Sequence, residues 1–179
     1  MMCLFAVNTG CRDSEVCGVR WDYEVPVPEL NTSVFIIPRE RVKNRQDKVV
    51  VLNRVAEEII DQRRGDHPQW VFTYKGHPIR TMNTTAWKLV RKRLGLDVRI
   101  HDLRHTFGRR LRAAGVSFED RQDLLGHKSG RVTTHYSMPE LVSLITAANG
   151  VCGDQSRKSP ALTILRKKIP LRLVSNRAG

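Results

Sequence analysis

The chain has 179 residues, and its 31 lysines and arginines outnumber its 18 aspartates and glutamates, so the formal net charge is +13. Hydrophobic residues make up 40 % of the sequence, which is enough for a packed core and argues against global disorder. The longest apolar run, residues 1–7, is far shorter than the roughly 18 residues of a membrane span and lacks the features of a secretory leader. A balance this basic indicates a polyanionic partner, either nucleic acid or an acidic membrane surface.

The cysteines do not indicate a metal site or a disulfide framework. Cys3, Cys11, Cys17 and Cys152 form no CxxC motif, which excludes a zinc knuckle or a zinc ribbon. A basic chain without a secretory leader is also not expected to carry a disulfide framework. The sequence therefore predicts four reduced, mostly buried cysteines in a cytosolic protein.

Two β-branched runs predict neighbouring strands in the first third of the chain. They are residues 33–37 (SVFII) and 48–52 (KVVVL), and a polar, basic connection over residues 38–47 joins them. Residues 70–73 are a further, shorter strand candidate. A small sheet is therefore expected near the N-terminal end of the domain.

Capping residues and glycine stops predict two helices after these strands. Asn53 is expected to cap a helix that runs to about residue 64, before Gly65. Asn83 is expected to cap a second helix that runs to about residue 94, before Gly95. The apolar residues expected to face inward on this second helix are Trp87, Val90 and Leu94.

Three further helices are predicted in the C-terminal part of the domain. They cover about residues 102–114, a short segment from Ser117 to the stop at Gly126, and residues 139–148 with Pro139 in the first turn. The fold class expected from all these elements is α+β and mainly α-helical, with a small antiparallel β-sheet.

The pentapeptide over residues 101–105 (HDLRH) predicts an anion site at a helix N-terminus. A spacing of three places His101 and Arg104 on one face, and a guanidinium can hold a phosphate through two parallel hydrogen bonds. The alternative is a capping histidine beside an ordinary surface arginine. A zinc site formed by His101 and His105 is disfavoured, because Arg104 would place a cation beside the metal.

Four other residues are candidates, and for Tyr136 the alternative is an amphipathic core residue unless arginine and histidine side chains converge on it. Arg12 follows a glycine-containing turn, and Glu15 three positions later can support it; the alternative is an exposed pair worth a few tenths of a kcal/mol. His127 follows a helix stop, and Tyr136 is a weak nucleophile unless cations stabilise its anion. Lys43 lies in the basic connection over residues 38–47, where composition does not separate it from Arg41, Arg45 or Lys48.

Taken together, these segments resemble the signature boxes of the tyrosine recombinases, the phage-integrase family. Residues 9–15 (TGCRDSE) with Trp21 are similar to the first box, and residues 101–107 (HDLRHTF) to the second. Residues 124–127 (LLGH) and 134–136 (THY) are similar to the end of that box and to the nucleophile segment. The resemblance covers about residues 5–148, and four motifs in this order are very specific.

The resemblance implies a role for each matching residue and a reaction. Arg12 and Arg104 would clamp a phosphate, His101 and His127 would be the active-site histidines, and Tyr136 would be the nucleophile. The lysine of the β-hairpin turn is best matched by Lys43. The implied activity is site-specific recombination of double-stranded DNA through a 3′-phosphotyrosyl intermediate, without ATP, metal or small-molecule cofactor. The full-length proteins of the family work as tetramers on paired sites in a prokaryotic or phage setting.

Two other functions remain open, and the domain boundaries are expectations. A type IB topoisomerase uses similar chemistry on one duplex, and a DNA-binding remnant would keep the charge without cutting. Residues 1–149 are expected to form the catalytic domain, cut at its N-terminal end because the family's core-binding domain would precede it. Residues 150–179 are a basic tail with seven cations and one acid. We expect that tail to act between protomers or on DNA; the alternative is a disordered tail.

Overall fold

The computed structural model describes residues 1–127 and 136–153 of the chain. This part is mainly helical, as predicted, with a three-stranded antiparallel sheet and a short two-stranded hairpin. The helices are α1 (Met2–Thr9), α2 (Asp13–Cys17), α3 (Arg54–Asp61), α4 (Thr85–Arg93), α5 (Ile100–Ala113), α6 (Phe118–Leu125) and α7 (Met138–Asn149). The strands are β1 (Glu24–Val27), β2 (Thr32–Ile37), β3 (Lys48–Val51), β4 (Thr73–Tyr74) and β5 (His77–Pro78).

The predicted strand pair is confirmed, and the structure adds a third strand to it. β2 pairs antiparallel with β3, so that Ile37 lies opposite Lys48 where the connection over residues 38–47 begins and ends. β1 pairs with the other edge of β2. The sequence analysis missed β1 because Pro26 interrupts its β-branched pattern, but an edge strand tolerates proline.

The core of the described part consists of two clusters of buried apolar side chains. The first cluster lies between α1, α2, the three-stranded sheet and α3, and Phe5 and Phe35 are among its largest members. The second cluster joins α5, α6 and α7 through Phe107, Leu124 and Leu144. α1 and α5 pack closely at Gly10, where an added Cβ would lie 2.7 Å from the Phe107 ring.

The C-terminal helices agree with the prediction, because their boundaries depend on local caps. The Ser117 hydroxyl accepts a hydrogen bond from the amide of Asp120 at the start of α6, and Gly126 ends that helix with a φ of 59°. α7 begins at Met138, after a capping box formed by Ser137 and Glu140. These helices support the cleft described below.

Three details of the predicted elements are wrong. The helix after Asn53 ends at Asp61, although Asn53 caps it as expected. Thr84 caps α4 instead of Asn83, and the predicted inward face is open: Val90 and Leu94 are 52 % and 61 % exposed. The spacing of apolar residues predicts an apolar stripe on a helix, but it does not predict whether another element packs against that stripe.

The short strand predicted over residues 70–73 is also shifted. Trp70 makes a single antiparallel bridge to Arg20, and the regular strand begins at Thr73. No helix in the described ranges is long and apolar enough to cross a membrane. The predicted tail lies outside the described residues from residue 154 onward.

Candidate functional site

A cleft of about 700 Å³ lies between the N-terminal end of α2, one face of α5, α6 and the connection before β3. Five of the six sequence-predicted site residues line it, and none of the described lining residues is acidic. We call it the cationic cleft; its lining residues are Arg12, Lys43, Asn44, His101, Arg104, His105, Gly108, Arg109, Arg112, Phe118, Arg121, Gln122, Leu125 and His127.

Arg104 lies at the base of this cleft and is buried. Its Nη1 donates a 2.7 Å hydrogen bond to the carbonyl of Gly10, which ties α5 to the turn before α2. Its Nη2 is also buried and has no hydrogen-bond partner among the described residues. Burial, and then the charge of Arg12, lower the pKa of Arg104. A buried donor without a partner is costly, so this geometry favours an anionic ligand.

Arg12 enters the cleft from the N-terminal end of α2 and is anchored by Glu15. Its backbone N–H donates to Glu15 Oε2 at 2.8 Å, and its Nη1 donates to Glu15 Oε1 at 2.7 Å. The alternative of an exposed ion pair is wrong, because the Glu15 side chain is 1 % exposed. Glu15 therefore fixes both the backbone and the guanidinium of Arg12.

The structure distinguishes Lys43 from Lys48, whereas the composition of the sequence did not. Lys43 is exposed and lines the cationic cleft, as the resemblance implies for the hairpin lysine. Lys48 begins β3 with a buried side chain, and its Nζ donates to Glu15 Oε2 at 2.7 Å. Burial would raise the pKa of Glu15, but Lys48 and Arg12 outweigh it and lower that pKa to about 2.

Both predicted active-site histidines, His101 and His127, line the cationic cleft near the two arginines. Burial is the main cause that lowers the pKa of His101, with His105 and Arg104 adding to it. Burial, Arg104 and Arg12 likewise lower the pKa of His127. Both rings are therefore mainly neutral at neutral pH. The rings of His101 and His105 meet edge to face with centroids 4.5 Å apart, and the described residues contain no group of three ligands that could hold a metal ion.

Tyr136 begins the second described range and is placed differently from the other five candidates. It is half-buried and packs against the second core cluster, next to α7. It is not among the described residues that line the cationic cleft. Residues 128–135, which join His127 to Tyr136 and include the predicted Thr134 and His135, lie outside the described residues.

Three further arginines of the cleft were not predicted from the sequence. Arg109 and Arg112 extend the face of α5 that carries His101 and His105, and Arg121 is added by α6. The signal was present, because residues 101, 105, 109 and 112 follow the helical period and lie opposite the apolar stripe of α5.

The described part is thus a mainly helical domain with a small antiparallel sheet, and its cleft is lined by a cluster of arginines and histidines. Residues 1–140 match the sequence model of the phage integrase family. The chain therefore belongs to the phage integrase family, whose members are the tyrosine recombinases, and it resembles their catalytic domain.

Individual relatives agree with this assignment. The chain is 31 % identical over 147 residues to the integrase of Salmonella phage P22, covering 74 % of this chain and 37 % of that protein. It is 32 % identical over 136 residues to a tyrosine recombinase of Pseudothermotoga lettingae, covering 71 % and 44 %. It is 26 % identical over 145 residues to the tyrosine recombinase XerA of Pyrococcus horikoshii, covering 76 % and 49 %. The matched region is therefore less than half of each of these relatives.

Proposed function

We propose that this chain cleaves and rejoins double-stranded DNA through a covalent 3′-phosphotyrosyl link at Tyr136, as part of a site-specific recombinase. The observation that carries the proposal is the acid-free cleft in which Arg12 and Arg104 converge and Arg104 Nη2 has no partner among the described residues. A phosphodiester supplies the negative charge that this arrangement lacks. Further exposed arginines at the rim, such as Arg109 and Arg112, suit the neighbouring phosphates.

Arg12 and Arg104 would stabilise the charge that develops on the phosphate. Attack on phosphorus gives a pentacoordinate transition state with extra negative charge on the non-bridging oxygens. Arg104 is held by Gly10 and Arg12 by Glu15, so both guanidiniums are fixed before DNA binds. Donors fixed in advance lose little free energy in reorganisation when the charge appears.

The remaining groups would move protons. The Tyr136 hydroxyl loses its proton as its oxygen bonds to phosphorus, and a neutral histidine, His101 or His127, can accept that proton. The bond to the 5′-oxygen breaks, and that oxygen takes up a proton, for which exposed Lys43 is the candidate donor. Attack by a free 5′-hydroxyl on the phosphotyrosyl bond reverses these steps and rejoins the strand.

The reaction requires Tyr136 to reach the cleft from its position on the second core cluster. The eight residues before it, 128–135, link it directly to His127 at the cleft. A type IB topoisomerase would use the same chemistry on one duplex, and a DNA-binding remnant would need no nucleophile in reach. A full recombinase would act as a homo-oligomer, a tetramer on paired DNA sites.

Covalent trapping tests the proposal directly. The 179-residue chain is incubated with a library of nicked duplexes of randomised central sequence, in which the short strand after the cleavage point diffuses away. We expect a protein–DNA adduct that survives denaturation in detergent. Filter binding without any adduct would identify a DNA-binding remnant, and relaxation of supercoiled plasmid without strand exchange would identify a topoisomerase.

Chelation provides an independent check of the chemistry. The arginines, lysine and histidines of the cleft are sufficient for charge stabilisation and proton transfer, so the scheme uses neither ATP nor a metal. Adduct formation should proceed at the same rate with and without EDTA. A rate that disappears with EDTA and returns with added zinc or magnesium would overturn the scheme.

A further inference from the structure

Lys48 is the buried cation of the described part that the proposed chemistry does not use. Its Nζ donates to Glu15 Oε2 at 2.7 Å and lies 3.7 Å from Cys11 Sγ. Glu15 uses the same carboxylate to hold Arg12. One buried ion pair therefore joins the start of β3 to the turn and helix that present Arg12.

The aliphatic part of Lys48 makes a second contact, with the turn that precedes His127. A Cβ added at Gly126 would lie 3.0 Å from Lys48 Cδ and 3.1 Å from its Cγ and Cε. Gly126 also has a φ of 59°, so both its conformation and this close approach require glycine. The Asn44 amide, one residue after Lys43, donates to the Gly126 carbonyl at 3.4 Å.

We propose that Lys48 is a positioning residue, which holds two parts of the cationic cleft in place: Arg12 through Glu15, and the His127 turn through Gly126. The inference rests on the proposed function, in which Arg12 and His127 act on a DNA phosphate. A buried ion pair is weak support for stability, because the desolvation of two charges offsets much of their attraction. An apolar residue would fill the same position at the start of a buried strand, but it would not fix the carboxylate that orients Arg12.

The proposed role of Lys48 predicts how the rate of adduct formation depends on pH. The groups that face the Glu15 carboxylate are Lys48 from β3, Arg12 and Cys11 from the first box, and Arg104 from α5. With Lys48 present, Glu15 stays ionised across the working range of pH. Without Lys48, only Arg12 still opposes the effect of burial, so the pKa of Glu15 rises above its value in the wild type, and the carboxyl takes up a proton at a higher pH and holds Arg12 less firmly.

The test uses Lys48→Met, which keeps the stem and removes the charge, and Val50→Ala as the matched control. Val50 is two residues further along β3, on the same face and equally buried, and it belongs to the first core cluster of apolar side chains. Nitrogen and carbon NMR spectra of the free labelled proteins report the Arg12 Nε–H and the His127 ring. We expect Lys48→Met to shift both signals and Val50→Ala to shift neither. Unchanged signals in Lys48→Met would overturn the proposal.

Kinetics supply the second readout. Lys48→Met should slow adduct formation about 10²-fold, as expected for small misplacement of catalytic groups, with DNA affinity within about threefold. Its rate should rise with pH through the raised pKa of Glu15, while Val50→Ala keeps the wild-type profile. Lys48→Arg, which restores the cation, should return the profile to that of the wild type. Equal rate losses and identical profiles in Lys48→Met and Val50→Ala would show a structural role alone.

The two readouts separate this inference from the proposed function. If the wild type forms no adduct, the proposed function fails, but the spectra of the free protein still decide whether Lys48 positions Arg12 and His127. If Lys48→Met does not fold, the double variant Glu15→Gln with Lys48→Met removes both buried charges together. We expect that double variant to fold and still to shift the Arg12 and His127 signals; wild-type signals in it would overturn the proposal.

Discussion

The cationic cleft can be compared with a second depression of about 520 Å³, which is formed by β1, β2, α3 and the residues that follow α3. The second depression contains three carboxylates and one guanidinium, and each of them has a partner. Arg64 makes two hydrogen bonds to Glu24 and one to Asp61, and the Thr32 hydroxyl donates to Glu57. The cationic cleft has no acidic lining residue in the described ranges and contains the unpartnered Arg104 Nη2.

The difference shows which kind of depression is prepared for a ligand. Charged groups that already have hydrogen-bond partners within the protein leave less for a ligand to compensate, and each charged group of the second depression has such a partner. Charges of one sign that converge on a cleft raise the free energy of the empty protein and lower it again when a counter-charge arrives.

The largest effect is expected at Tyr136. Tyr136→Phe removes one hydroxyl and no cation, so it should lower adduct formation by about 10³-fold or more, while DNA affinity changes by no more than a few-fold. The measurement is gel analysis of denatured reactions beside filter binding. An adduct formed by the Phe variant would mean that another residue is the nucleophile.

Arg104→Ala should produce the next largest effect, because it removes a fixed donor to the phosphate. We expect adduct formation to fall about 10²–10³-fold. Arg64→Ala in the second depression is the matched control: it should lower the free energy of unfolding by about 1 kcal/mol or less and leave the cleavage rate unchanged. Similar rate losses in both variants would remove the distinction between the two depressions.

Salt dependence tests the rim of the cleft with a smaller expected effect. Log–log plots of affinity against salt concentration should be steep for the wild type, with a slope of about −0.9 for each phosphate neutralised. Arg112→Ala should weaken DNA binding a few-fold and make the slope shallower by about one unit. Arg64→Ala should leave both the DNA affinity and the slope unchanged. A shallower slope in that variant would mean that DNA contacts the second depression, which contradicts the proposal.

Unfolding in acid compares the carboxylates of Glu15 and Glu24, and the differences between variants should be the smallest here. The pKa of Glu15 is lowered from 4.5 to about 2, so its contribution to stability is complete above pH 4.5 and is lost as pH falls toward 2. Arg64 holds the pKa of Glu24 below its usual value, which gives the same sign. Glu15→Gln should therefore reduce the dependence of the free energy of unfolding on acid pH more than Glu24→Gln does. Circular dichroism at a series of pH values measures this dependence. The reverse order would contradict the buried Glu15–Lys48 pair.

The parts of the fold that depend on local signals could be predicted from the sequence. α6 begins and ends at its predicted caps, Ser117 and Gly126, and Pro139 lies in the first turn of α7 as predicted, because these signals act within a few residues. The open face of α4 could not be predicted, since apolar spacing does not say what lies opposite. β1 was missed because its proline is acceptable only at a sheet edge, which is a property of the whole sheet.

The same limit applies to the site. The candidates came from spacing and from the family resemblance, and five of them converge on one cleft. Lys48 could not be distinguished from Lys43, because its partner Glu15 is 33 residues away and the two side chains meet only in the folded chain. A long-range ion pair has no local pattern in the sequence.

The most direct test of the central claim is to identify the residue that becomes attached to DNA. The covalent adduct is digested with protease and nuclease, and the nucleotide-bearing peptide is sequenced by mass spectrometry. Our account predicts a single modified residue, Tyr136, linked to the 3′-phosphate of the cleaved strand. Attachment at any other residue, or at a 5′-phosphate, would contradict it.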